Sequence, residues 1–248
     1  MASPEMSGQG PTNFPTTHWS QLAAARGPMT PEHREVLNCL ILRYWSPVHA
    51  YICRRGFRNE AADLTQDFFI HSLREALFGR ADRARGRFRP FLLRCLNNFL
   101  ADAARHRKRH NLPEGVVSVH QLSAERGPSY EPAETETPED VFYRAWVREL
   151  LNRVFSTLQQ DFAAAGQQAH GELFRRRVFD PILSGTEPPS METLAGELGL
   201  PWKQACNYLV TARRAFQRLL REEIGVYASS EEEIASEVRE LFRFAGGA

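Results

Sequence analysis

Apolar residues along this chain recur at steps of three and four. Val36, Leu37, Leu40, Ile41, Tyr44, Val48 and Tyr51 keep that period to about Arg55, which on a helix makes one apolar stripe. Thr30-Pro31 marks its start, since threonine can cap a helix and proline suits the first helical position. Pro47 is expected to kink this helix or split it, and Gly56 to end it. Asn59 is placed to cap a second helix, with Leu64, Phe68 and Leu73 on one side and Asp63, Gln66, Asp67 and Arg74 on the other. In a third, Phe88, Phe91, Leu92, Cys95, Leu96, Phe99 and Ala103 form the stripe, while Arg94, Asn98 and Arg105 line a different face.

The downstream half repeats the pattern. Thr137-Pro138-Glu139-Asp140 opens a helix carrying Phe142, Trp146, Leu150, Val154 and Leu158. Phe174, Val178, Phe179 and Ile182 mark another, closed by the loop Ser184-Gly185-Thr186-Glu187-Pro188-Pro189-Ser190. Ser190 then caps a helix-turn-helix pattern in which Leu194, Ala195, Leu198, Gly199, Leu200, Ala205 and Leu209 hold the apolar and turn positions. Ser230 to Glu233 reads as a capping box before a last stripe, Ile234, Val238, Leu241 and Phe242. The fold class expected is all-α, two helical domains joined by a flexible linker.

Composition sets the boundaries between these patterns. Residues 1–16 carry mainly glycine, serine, proline and threonine and read as a disordered tail. Residues 17–110 form the first domain, opened by a short helix docking Trp19, with Leu22 three residues on. Residues 111–137, with Glu114, Glu125, Glu131, Glu134 and Glu136 among several prolines, read as an acidic linker. Residues 138–224 form the second domain, and 225–248 an acidic amphipathic extension expected to cap it. The 42% hydrophobic and 25% charged content is that of a soluble globular protein. No apolar run approaches membrane-spanning length, and the N-terminus lacks a secretory pattern. Cys39, Cys53, Cys95 and Cys206 lack close metal spacing and are expected to be free thiols in a reducing cytoplasm, those in apolar patterns buried. His106 and His110 are four apart but have no third ligand in view. There is no phosphate-binding glycine loop, nucleophile elbow or ligand cluster, so neither catalysis nor a cofactor or metal is expected.

Charge is distributed unevenly. Between Arg80 and His110 lie nine arginines and one lysine against Asp82 and Asp102, an excess of eight in a chain of net charge +1. Arginine offers a planar fork that grips phosphate, and aromatics beside it can stack on unpaired bases. A solvated basic face accounts for the charge equally well.

The residues here resemble a known family. Asp63-Leu64-Thr65-Gln66-Asp67-Phe68-Phe69 is similar to the D-L-x-Q-[ED]-x-F signature in region 2 of sigma-70 family RNA polymerase sigma factors, of the extracytoplasmic-function type. Phe88-Arg89-Pro90-Phe91-Leu92 stands where that family has F-R-x-W-L, and Asn98 and Asp102 keep its N-x3-D spacing before the basic run Arg105 to Arg109. The resemblance covers about residues 35–110 and departs at Phe91, where tryptophan is usual, and at Asn97, where a basic residue is common. It implies that Asp63, Gln66 and Asp67, with an exposed Phe69 or Ile70, contact the core polymerase. It further implies that the loop Gly79 to Arg87 receives a base flipped from the −10 element. Asn98 would read a base edge, and Arg85, Arg87, Arg94, Arg105, Arg107, Lys108 and Arg109 would hold this DNA.

The second domain resembles the sigma domain that reads the −35 element, although the short L-P-x-x-x-R entry is absent. By helical phase Lys203, Gln204, Cys206 and Asn207 would face the major groove, with Arg213 and Arg214 nearer the backbone. The family's T-V-K-S-R-L reads Gln204-Ala205-Cys206-Asn207-Tyr208-Leu209, so Cys206 and Tyr208 replace two usual cations. The resemblance implies a cytoplasmic initiation factor whose partners are core RNA polymerase and promoter DNA, with room for an anti-sigma factor. Two other readings stand beside it. One is a stand-alone helix-turn-helix regulator; the other is a helical protein that sequesters polymerase or an anti-sigma factor without initiating.

Overall fold

The computed structural model describes residues 31–81, 88–109, 136–225 and 231–245, and every regular element among them is helical. Helix α1 spans Pro31–Arg54, α2 Ala61–Arg74 and α3 Phe88–Arg109. Helix α4 spans Pro138–Ala164 and α5 Gln168–Phe174. Then come α6 (Asp180–Ser184), α7 (Met191–Glu197), α8 (Trp202–Gly225) and α9 (Glu231–Ala245).

Two main cores form. The first gathers Leu40, Val48, Tyr51 and Ile52 of α1, Phe68 and Phe69 of α2, and Leu92, Leu93, Leu96 and Leu100 of α3. Phe142 of α4 is fully buried in it, edge-on to the ring of Tyr51. The second is built on the rest of α4, from Trp146 to Phe162, with Phe174, Phe179, Leu209, Leu220, Ile224 and Leu241. One helix thus supplies both cores, and Tyr44 of α1 packs against each. α4 opens where expected: Thr137 Oγ1 accepts from the Asp140 amide while the Asp140 carboxylate accepts from the Thr137 amide, a complete capping box with proline just inside the helix. Tyr51 Oη lies 2.7 Å from Asn97 Oδ1 and 3.1 Å from Glu139 Oε1, so Asn97 turns inward and helps seat the start of α4.

Several expectations need correction. Pro47 does not split α1, which runs through it; the proline is itself buried next to Val48, so packing offsets the one lost backbone hydrogen bond. Asn59 does not cap α2: it lies in a 3₁₀ turn, Arg58–Glu60, and the helix begins at Ala61 without a side-chain cap. Cys39 is exposed, whereas Cys53 and Cys95 are half-buried, and burial pushes both of these thiols up. Phe174 to Ile182 is not one regular helix. A π-helical turn, Arg175–Phe179, interrupts it. The wider turn brings Phe174 and Phe179, five residues apart, to the same side, where both stack on Phe155 at 6.1 and 4.0 Å.

Candidate nucleic-acid and partner interface

On α2 the apolar side packs inward, and Asp63, Gln66 and Asp67 lie exposed on the other side, as the sequence pattern requires. Phe69 does not join them. It is 3% exposed, packed between Trp45, Phe68 and Phe78, so it cannot offer its side chain to a partner. Ile70 is half-buried. What lies open near this helix is apolar surface on α1, Leu42 at 75% and Trp45 at 38% exposure, the indole stacked 5.8 Å from Phe69.

Helix α3 separates its faces cleanly. Leu92, Leu93, Leu96 and Leu100 go to the core, while Arg94, Asn98 and Arg105 are exposed. Asp102 pairs with Arg105 one turn away, both largely in water, where such a pair holds weakly. Phe91 is half-buried, with its ring 6.3 Å from that of Phe88. Arg107, Lys108 and Arg109 continue the helix, but their side chains, like Arg85 and Arg87, lie outside the described residues.

The structure brings the helix-turn-helix positions together. Ser190 Oγ accepts from the Thr193 amide to start α7. Gly199 takes φ +63°, a left-handed conformation that glycine adopts at no steric cost. The amides of Gly199 and Leu200 bond to the carbonyls of Gly196 and Ala195, the paired bonds of a Schellman turn. Beneath it Leu173, Leu194, Ala195 and Ala205 form a small third core. Along α8 Ala205, Leu209 and Ala212 face inward, and Lys203, Gln204, Asn207, Arg213 and Arg214 face out. Cys206 is half-buried, so it stands at the margin of that face.

No protein-family model, no curated protein and no solved structure matches this chain.

The geometry also shows residues that the pattern missed. Gln204 Nε2 donates to Tyr208 Oη at 2.5 Å, Tyr208 stacks on His170 at 3.7 Å, and His170 stacks on Phe162 at 5.3 Å. Tyr208 thus steadies an outward glutamine from behind. Burial holds the His170 imidazole below its ordinary proton affinity, which suits a neutral ring within a stack. Arg89 is the second. It is buried, pairs with Glu237 of α9 at 2.6 Å, and lies 3.9 Å over the Trp146 ring. Its signal was present: Arg89 shares the phase of Leu92, Leu93, Leu96 and Leu100, a cation on the apolar stripe. Among the described residues no group of histidine, cysteine and carboxylate side chains could hold a metal, and no helix is long and apolar enough to cross a membrane.

Proposed function

We propose that this chain is a cytoplasmic transcription initiation factor of the sigma-70 kind, which binds core RNA polymerase, directs it to promoters and helps to open the −10 region. What supports the reading most is that α3 and α8 each bury an apolar stripe and turn a polar, cationic face outward. On α3, Arg94 and Arg105 flank Asn98, a carboxamide able to donate and accept at a base edge. On α8, Lys203, Gln204 and Asn207 lie in the first two turns, where a recognition helix meets bases, and Arg213 and Arg214 follow. Asp63, Gln66 and Asp67 on α2 supply the polymerase contact, and Trp45 and Leu42 widen it with apolar surface.

Reconstitution tests it. The purified chain should co-purify with core polymerase and support run-off transcription from promoters selected with the mixture. Asn98→Ala should lower promoter opening and leave polymerase binding intact, whereas replacing Asp63 and Asp67 together should weaken polymerase binding. DNA binding without polymerase association would favour the stand-alone regulator. Polymerase association without transcripts would favour the sequestering protein.

A further inference from the structure

Behind the outward face of α8 stands a stack of three rings, and a histidine links the other two. The stack starts in the last turn of α4. There the Gln167 amide bonds to the Phe162 carbonyl at 2.7 Å and the Gly166 amide to the Ala163 carbonyl at 3.1 Å. Gly166 takes φ +69°, so the helix ends in a Schellman turn. The chain reverses at once, and the His170 amide bonds to the Gln167 carbonyl as α5 begins. Phe162 and His170 thereby come to lie 5.3 Å apart, 25° from parallel. Tyr208 of α8 stacks on the same imidazole at 3.7 Å and 22°. Tyr208 also packs against the third core, and its Oη accepts from the Gln204 amide at 2.5 Å. The stack therefore ends on a side chain that faces out.

The imidazole fits this place only while neutral. His170 is 8% exposed, and its Nδ1 is buried with no hydrogen-bond partner among the described residues. A neutral ring can leave one nitrogen bare, whereas an imidazolium carries a proton on both. Protonation puts a charge and an unpaired N–H into the stack. Ring faces attract a cation, but by less than a buried charge loses with its water. Burial accordingly holds the His170 imidazole below its ordinary proton affinity, and the Gln167 carbonyl offsets only part of that. No counter-charge helps. Phe162 faces the ring from α4 and the phenol of Tyr208 from α8, and on α5 Glu172 is taken up by Arg175 at 2.7 Å.

We propose that His170 is an acid-sensitive positioning residue. Neutral, it holds the Tyr208 ring, and through it the Gln204 carboxamide, in one orientation on the outward face of α8; protonated, it leaves the stack and frees both. The opening of the stack stands on the geometry; its effect on base reading rests on the function proposed above. The bond to Tyr208 uses one N–H of the Gln204 amide and leaves the second, with the carbonyl oxygen, for a base edge. That pair of groups matches adenine, provided both are aimed at once. Acid therefore relaxes the preference for adenine opposite Gln204, while Arg213 and Arg214 keep their hold on phosphate.

Nuclear magnetic resonance of the full chain, with histidine and tyrosine rings labelled, tests the coupling. Between about pH 7.5 and 5 the Tyr208 ring signals should shift with the same midpoint as His170, below about 6.5. In His170→Phe, which keeps a flat ring in the stack but takes no proton, they should stay constant. In His170→Gln, uncharged but unable to stack, they should resemble the acid form at every pH. Tyr208 signals that ignore pH in the wild type, or that move equally in His170→Phe, overturn the proposal. For the effect on reading, the wild type's preference for a selected site over the same site with its adenine replaced should fall at least about threefold across that range. His170→Phe should keep its preference throughout. An equal fall in both chains overturns the link from His170 to base reading. A chain that binds no DNA at either pH sinks the functional reading, while the ring signals still decide the switch.

Discussion

Arg89 and Arg105 lie on one helix, each paired with a carboxylate, and water separates their roles. The Arg105–Asp102 pair is largely exposed, so Arg105→Ala should change stability by less than about 1 kcal/mol. Removing Arg89 leaves Glu237 buried without its cation, and Arg89→Ala should cost about 3 kcal/mol or more in a urea titration. The sequence shows both as members of a basic run, and only helical phase separates them. Phe69 is the converse case. A phenylalanine at the edge of a stripe reads as exposed until its neighbours are known, and Trp45, from another helix, covers it. Gly199 was legible because a tight turn after an apolar helix needs φ above zero. No atom stands within 4 Å of where its Cβ would lie, so Gly199→Ala should cost only the backbone strain, about 1 kcal/mol, seen as a lower denaturation midpoint. Tyr208→Phe should leave stability nearly unchanged and, on the function proposed above, relax base preference in a selection from random DNA, because Gln204 loses its brace.

At the scale of elements, periodicity located the apolar helices well and their partners poorly. The spacing in α4 reads as one uninterrupted stripe, and nothing in it tells that Phe142 serves one core and Trp146 the other. That division is set by α1, distant in sequence, which packs along α4. The π turn was equally hidden, since a step of five between Phe174 and Phe179 looks like drift in an ordinary helix. Its packing separates two phenylalanines from an isoleucine on the same stripe. Phe155→Ala removes a ring stacked on both Phe174 and Phe179 and should cost about 3–5 kcal/mol. Ile182, 37% exposed, should be replaceable by alanine at under about 1 kcal/mol. Thermal melts of the two variants would separate these outcomes directly.

For the molecule as a whole, histidines set one side of the stability profile. Burial holds His49 in the first half and His170 in the second below the ordinary value near 6.5. As pH falls the unfolded chain takes up protons before the folded one does. Their contribution is therefore complete above about pH 6.5 and declines below it. The melting temperature should fall as pH drops from about 6.5 to 5.5, and the double replacement His49→Gln/His170→Gln should flatten that fall.

Helix α4 also bears on the order in which the chain can fold as it leaves the ribosome. The interior around Tyr51 lacks Phe142 until synthesis has passed 33 residues beyond the end of α3. Until then an apolar cleft along α1 stays open to water. The nascent N-terminal half must wait for sequence that belongs, by its other end, to the second core, so an early pause or a premature stop before residue 142 leaves a sticky intermediate rather than a finished small protein.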